Sequence, residues 1–263
     1  MNLSKFKAYN KTLTQSEILQ NYYQAPIVTD GLVFAVDAGN LVSYENGDTT
    51  TYSMTGSISG SLVNGVAFNS DYGGVWDFDG TNDRIDLPTL SSNMNSSEFT
   101  VEAIIKHDEF GTAGSSRPYI SNWNTWSPGS QKGFILRTYG IQTTPSFWWC
   151  DGVNYTSITS TTQMATGKYY YISATYSSTG VKLYVNGVLE ASSSNLLGGV
   201  VFESNTRMGY GTINTGYFNG NIASTRIYNR ALTADEVSQN YNATYPRFNS
   251  SRDIPRESMA LEL

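Results

Sequence analysis

The chain has 263 residues, a formal net charge of −6, and charged side chains at only 14% of its positions. These values exclude a nucleic-acid partner, which would need a basic footprint: the densest positive stretch, Lys5 to Lys11, spreads three lysines over seven positions. They exclude membrane insertion as well, because no stretch approaches the roughly eighteen apolar residues that cross a bilayer.

The opening MNLSKFKAYN lacks the apolar core of a signal peptide, so the expectation is synthesis in a cytoplasm without a leader. The single cysteine, Cys150, can form neither an intramolecular disulfide nor a zinc site, and reads as a small buried apolar residue. Ser, Thr, Asn and Gly dominate, with 19 tyrosines, which suits many short strands joined by tight turns. A single β-sandwich commonly uses about 200 to 250 residues, so one domain accounts for most of the chain.

In chain order, the first pattern is a helix start. Thr14-Gln15-Ser16-Glu17 is a capping box, in which the threonine accepts the N3 amide and the glutamate reaches back, and Leu13 with Ile18 fits the accompanying hydrophobic staple. Strand patterns follow. Leu32 to Asp37 reads as a buried strand, and Val75 to Phe78 and Arg84 to Leu87 flank the Asp79-Gly80 turn. Phe99, Val101, Ala103 and Ile105 share one face of a strand whose other face carries Thr100, Glu102 and Ile104. Phe134 to Tyr139, Ser146 to Cys150 and Lys168 to Tyr176 are each bounded by turn formers. Val181 to Val185 and Val188 to Glu190 flank Asn186-Gly187, the signature of a type I′ hairpin. Thr206 to Gly209 and Gly216 to Tyr228 complete the strands, and a second capping box, Thr233-Ala234-Asp235-Glu236, opens a final helix stapled by Leu232 and Val237. The fold class is therefore all-β: a two-sheet antiparallel jelly-roll sandwich with two short capping helices.

The two helix starts belong to a longer repeat. Residues 9–22 align without gaps to residues 228–241, with eight of fourteen positions identical, and Leu3 corresponds to Ile222. The division expected is an orphan copy of the closing strand and helix at 1–26, a jelly roll at 27–242 and an extended C-terminal arm at 243–263. About 26 residues cannot bury a core alone. The orphan copy closes the sheet of another subunit, is the remnant of an upstream repeat, or packs on its own domain. Inter-subunit docking is the favoured reading, with Leu3, Phe6, Tyr9, Leu13, Ile18 and Tyr22 as the interface.

Ordered motifs carry a resemblance. Gly31 to Asn40 with Ser43-Tyr44, then Leu62-Val63-Asn64-Gly65, Phe78-Asp79-Gly80-Thr81-Asn82-Asp83-Arg84-Ile85, Phe99 to Ala103, Lys182 to Gly187 and Gly220 to Leu232 run in sequence from 31 to 242. This series resembles laminin-G-like, concanavalin-A-like jelly rolls of the kind found in bacteriophage structural proteins. The resemblance implies a virion component, such as a capsid decoration, fibre or appendage, whose partners are other virion subunits or copies of itself, with cell-surface glycans as a further partner. The alternatives are a carbohydrate-binding lectin module and, behind it, a glycoside hydrolase. The family's closing strand often reads G-x-I-D-x-V/I-R-I-Y; here Ala223 or Ser224 takes the acidic position, so a structural calcium would lack that ligand.

Site residues follow from residue type. Glycosidases on this kind of sandwich place carboxylates at alternate strand positions, about 5 Å apart for retention. The nearest approach is Asp77 and Asp79, with Asp83 and Asp86 nearby; no glutamate joins them, and Asp79-Gly80 suits a turn. No catalytic residue is assigned and no enzyme is expected. The lone His107 reads as a surface residue near a loop. No cofactor is required; Asp37, Asp79, Asn82 and Asp83 are candidate oxygen donors for calcium, and no metal ligand is assigned. Trp123 and Trp126 in a polar loop, with Trp149 and Tyr155 beside the Asp151 turn, are the expected ligand contacts, since exposed rings stack on sugar faces. Adjacent Trp148 and Trp149 must point to opposite sides of a sheet.

Overall fold

A computed structural model describes residues 27–56, 58–87, 90–123, 129–211 and 216–248, besides Thr12. Among these residues eighteen strands follow in order. β1 (Leu32–Asp37), β2 (Thr50–Tyr52), β3 (Ser59–Val63), β4 (Ala67–Asn69), β5 (Val75–Asp79) and β6 (Arg84–Leu87) form the first third. β7 (Phe99–His107), β8 (Ser116–Ser121), β9 (Lys132–Tyr139), β10 (Ser146–Asp151), β11 (Tyr155–Thr159) and β12 (Tyr169–Ser177) form the middle. β13 (Gly180–Val185), β14 (Val188–Ser193), β15 (Thr206–Met208), β16 (Tyr210–Gly211), β17 (Gly216–Tyr217) and β18 (Asn219–Tyr228) precede the helix α1 (Ala234–Thr244).

The strands make two eight-stranded antiparallel sheets and a short β16–β17 ribbon. The first runs β14-β13-β12-β7-β18, and the far edge of β18 is shared by β5, which continues to β4, and by β1. The second runs β11-β10-β9-β8-β15-β6-β3-β2. This is the two-sheet sandwich that the alternation demands. Phe99, Val101, Ala103 and Ile105 enter the core from β7, and meet Phe134, Leu136, Phe147 and Trp149 from the second sheet. Trp76, wholly buried, anchors β5. Burying one such side chain contributes about 2 to 3 kcal/mol.

The outer face of the first sheet is covered by α1. Thr233 accepts from the Glu236 amide at 3.2 Å while the Glu236 carboxylate accepts from the Thr233 amide at 2.9 Å, so the capping box is complete. Leu232 and Val237 are buried beneath it. Between helix and sheet lies a polar core around Glu102. Its carboxylate meets Arg226 at 3.5 Å, accepts from Asn240 Nδ2 at 3.1 Å, and accepts from the Tyr171 hydroxyl. Asn240 Nδ2 also donates to the Tyr228 hydroxyl at 2.9 Å, and Asn240 Oδ1 accepts from the Val28 amide at 2.8 Å. Burial pushes the Glu102 carboxyl up, against Arg226, Tyr171 and Asn240, which favour its charged form.

Two expectations change and one lies beyond the described residues. The C-terminal arm does not start at 243: α1 runs through Thr244, and a 3-10 turn, Tyr245–Phe248, packs against the sandwich. There Arg247 reaches Asp37 at 2.9 Å and Phe248 is buried, because a ring and a guanidinium found partners on the sheet. The first of the two expected helices, with Leu3, Phe6, Tyr9, Leu13, Ile18 and Tyr22, lies outside the described residues. His107 is not a surface residue: as the last position of the Phe99–Ile105 alternation it points inward and is buried. Its Nε2 lies 3.0 Å from the Tyr119 hydroxyl and its Nδ1 3.2 Å from the Glu109 carbonyl, and its ring stacks on Phe110. Burial pulls its pKa down to about 4.

Candidate functional site

β9, β10 and β11 lie side by side at one edge of the second sheet. Trp148 stands opposite Ile135 and Ser157, and Cys150 stands opposite Gly133 and Tyr155. Phe134, Leu136, Phe147, Trp149 and Ile158 point into the core. The period of two therefore sends Ile135, Arg137, Tyr139, Trp148, Tyr155 and Ser157 to the outer face.

The rings among them gather. Trp148 and Tyr155 are nearly parallel, at 15° with centres 5.6 Å apart. With an inter-ring contact of about 3.5 Å, that separation means a lateral slip of about 4 Å, so the two rings form a stepped, offset stack in which each covers only part of the other. Tyr139 lies 6.4 Å from Trp148, and Trp123 meets Tyr155 edge-on at 6.1 Å. Trp148 Nε1 donates to Ser146 Oγ at 3.2 Å, which fixes the indole's orientation. Tyr155 is 44% exposed, and Tyr139, Trp148 and Ser157 are half-buried. Below them Trp123, Ile135 and Cys150 form a small apolar cushion. Burial pushes the Cys150 thiol up to about 12, which removes it as a nucleophile. The carbon of the Arg137 guanidinium stands 4.6 Å from the Tyr139 ring centre and 4.5 Å from that of Trp148.

Aromatic faces bordered by hydroxyls are the chemistry of sugar recognition: C–H faces lie on rings while hydroxyls find polar partners. Tyr155, Ser157 and Thr159 alternate on the outer side of the edge strand β11. Beside it, the Asp151 carboxylate accepts from the Val153 and Asn154 amides at 2.9 and 2.7 Å, which shapes the turn.

Of the expected ligand contacts, Tyr155 stands where the sequence placed it. Trp149 does not: it is fully buried, stacked on Phe147 at 5.8 Å, and belongs to the sandwich core. Trp123 is 1% exposed and supports Tyr155 from the side, so it presents no face to a ligand. Trp126 lies outside the described residues. The residues missed are Trp148, Tyr139 and Arg137. Phe147 and Trp149 share one face by their spacing, and the apolar Phe147 was the signal that Trp149 goes inward with it.

The carboxylates at the other end of the sandwich are occupied as structure. Asp79 accepts from the Thr81 amide at 2.7 Å and caps its own turn, where Gly80 takes φ +75°. Asp83 accepts from the Asp79 amide at 3.1 Å. Asp77 accepts from Asn221 at 2.8 Å, and burial, with Asp108 nearby, raises its pKa. Asp37 is committed to Arg247. Among the described residues no three His, Cys, Asp or Glu side chains gather in a way that could hold a metal ion.

A laminin-G family model, that of the concanavalin A-like lectin/glucanases superfamily, matches residues 79–238. No curated protein sequence matches the chain. Among solved structures, domain 4 of AbnA, a GH43 extracellular arabinanase from Geobacillus stearothermophilus, in complex with arabinotriose, is similar at 18% identity and a TM-score of 0.61. That match covers 80% of this chain and 98% of that one. The botulinum neurotoxin serotype D ligand-binding domain in complex with N-acetylneuraminic acid is similar at 17% identity and a TM-score of 0.62, over 81% of this chain and 50% of that one. The binding domain of Paraclostridial Mosquitocidal Protein 1 matches at 17% identity and a TM-score of 0.63, over 81% of this chain and 52% of that one. The chain thus spans about half the length of the toxin binding domains. At such identities the likeness is one of fold.

Proposed function

We propose, from the premise that the chain belongs to the concanavalin A-like lectin/glucanase superfamily, that it is a non-catalytic binding module whose glycan-contacting surface is the Tyr139–Trp148–Tyr155 face. The observation that carries this reading is the displaced stack of Trp148 and Tyr155, a stepped ring surface on an outer sheet face with Ser157 and Thr159 along its border. The arabinotriose and N-acetylneuraminic acid complexes of the similar domains support a carbohydrate as the ligand class. Asp79 and Asp83 bond to backbone amides of their own turn, Asp77 accepts from Asn221, and Asp86 pairs with Arg84 and Arg207. Glycan-array binding by the wild type, lost in Trp148→Ala while the fold is retained by circular dichroism, is the expected result. Array binding unchanged by that substitution refutes the assignment of the surface.

A second reading concerns partners. The module works within an assembly, and the resemblance of its motifs to phage structural domains makes a virion the setting, with other subunits or further copies of the chain as partners. What supports this is the repeat. In the C-terminal copy, Tyr228, Leu232, Thr233, Glu236, Asn240 and Tyr241 are the residues that cap or dock α1. Tyr9, Leu13, Thr14, Glu17, Asn21 and Tyr22 repeat them, and Lys7 stands where Arg226 meets Glu102. One Glu102 is present and is already served, so residues 1–26 fit an equivalent strand in another jelly roll. Light scattering on the full chain and on one starting at Ile27 tests this: assembly that survives the truncation contradicts it.

A further inference from the structure

Every described arginine but one has a carboxylate within ion-pairing distance. Arg84 and Arg207 share Asp86, Arg117 meets Glu109, Arg226 meets Glu102, Arg230 meets Glu236 and Arg247 meets Asp37. The exception is Arg137, in the middle of the aromatic face. It is 0% exposed, as deeply buried as Trp149 in the core. Its Nη1 donates to Ser116 Oγ at 3.1 Å, whereas Nε and Nη2 have no hydrogen-bond partner. Those two atoms form the adjacent edge of the guanidinium that grips a carboxylate side-on, through two parallel hydrogen bonds.

An uncompensated buried cation is costly, and the faces of Tyr139 and Trp148 offset only part of that cost. The strain shows in its acidity: burial draws the Arg137 pKa down to about 10. Since no carboxylate of the described chain compensates the charge, an anion from outside fits the intact fork. Both rings against the guanidinium are half-buried, and with the Trp148 indole held by Ser146 it is Tyr139 that must turn aside to admit an anion.

We propose that the glycan taken by this face is acidic, a sugar whose carboxylate pairs with Nε and Nη2 of Arg137 while its ring lies on Trp148 and Tyr155. The inference rests on the reading of this surface as the glycan site. It names a substrate class, carboxylated sugars such as uronic acids, in place of neutral ones. Arginine rather than lysine at this position is part of the argument, because a point charge cannot supply two parallel donors.

The test uses the full chain and paired oligosaccharides that differ only in charge: trigalacturonate against its methyl ester, and sialyllactose against lactose, titrated by intrinsic tryptophan fluorescence. The expected result is that at least one acidic member binds tenfold or more tightly than its neutral pair. Arg137→Gln and Arg137→Lys are each expected to abolish that difference. Equal binding of acidic and neutral members by the wild type overturns this proposal and leaves the glycan reading standing. Binding of neither member overturns both. An acidic preference that persists in folded Arg137→Gln places the carboxylate elsewhere, and overturns the assignment to Arg137. The wild-type comparison needs no variant, so a misfolded substitution does not spare the proposal.

Discussion

Acidification should destabilise this protein through His107 before its carboxylates protonate. In the folded chain the imidazole is buried among Tyr119, Phe110 and Phe218, with the Arg117 charge nearby, and its pKa falls from 6.5 to about 4. A group whose folded pKa is depressed in this direction binds a proton more readily when unfolded. Folding stability is therefore intact above pH 6.5, falls as the pH drops from there, and levels off below about 4. At about 1.4 kcal/mol per pH unit, that gap amounts to about 3 kcal/mol, a large share of a typical domain's stability. Asp77 and Asp83, whose pKa values are raised by burial, act in the opposite sense as they protonate. The assay is urea unfolding of wild type and His107→Gln at pH 7 and pH 4.5. The wild type should lose about 2 to 3 kcal/mol more than the variant over that interval. Equal losses in the two proteins would show that the buried imidazole is not the acid-sensitive group.

Glu102→Ala removes the partner of Arg226 beneath α1 and leaves a buried guanidinium without its counter-charge, so unfolding free energy should drop by about 3 to 5 kcal/mol in denaturant titration. A loss below 1 kcal/mol would mean that the ion pair is not desolvated in solution. Asn186 takes φ 50° and Gly187 φ 79° in the β13–β14 turn. Gly187→Val should therefore cost about 1 kcal/mol or more, read as a lowered thermal midpoint, because a branched side chain is strained in that region. Starting the chain at Ile27 should leave the unfolding midpoint unchanged, because Asn240, Tyr228 and Val28 already close the Glu102 site. A large fall would place residues 1–26 on their own domain.

Local patterns were legible where the physics is local. The β7 alternation, the Asn186-Gly187 hairpin and the Thr233–Glu236 capping box each rest on residues within one element, and each stands in the structure as the sequence implies. The strands that escaped notice are those whose identity comes from their neighbours. β8 contains Pro118, which argues against a strand between two others, yet a register shift between Pro118 and Ile120 accommodates it between β9 and β15. β11 is short, with Ile158 as its one aliphatic residue, and is a strand because β10 pairs with it. β2 and β4 have three residues each, too few to show a period. The site was half legible for the same reason. That Trp148 and Trp149 part to opposite faces follows from the strand alone, and Phe147 is the local sign that Trp149 turns inward; which rings Trp148 then meets depends on the register with β9 and β11. His107 was read by its residue type as a surface group, although the alternation begun at Phe99 carries it inside. Nothing near Arg137 in the sequence shows that it lacks a carboxylate partner, since Arg207, Arg226 and Arg247 draw theirs from distant strands.

The most direct test of the account is a titration of the isotope-labelled protein with an oligosaccharide that binds it, followed through the indole N–H resonances. The account predicts that the Trp148 signal shifts with occupancy while those of Trp76 and Trp149, sealed between the sheets, remain in place. Shifts at Trp76 or Trp149 with a silent Trp148 would contradict it.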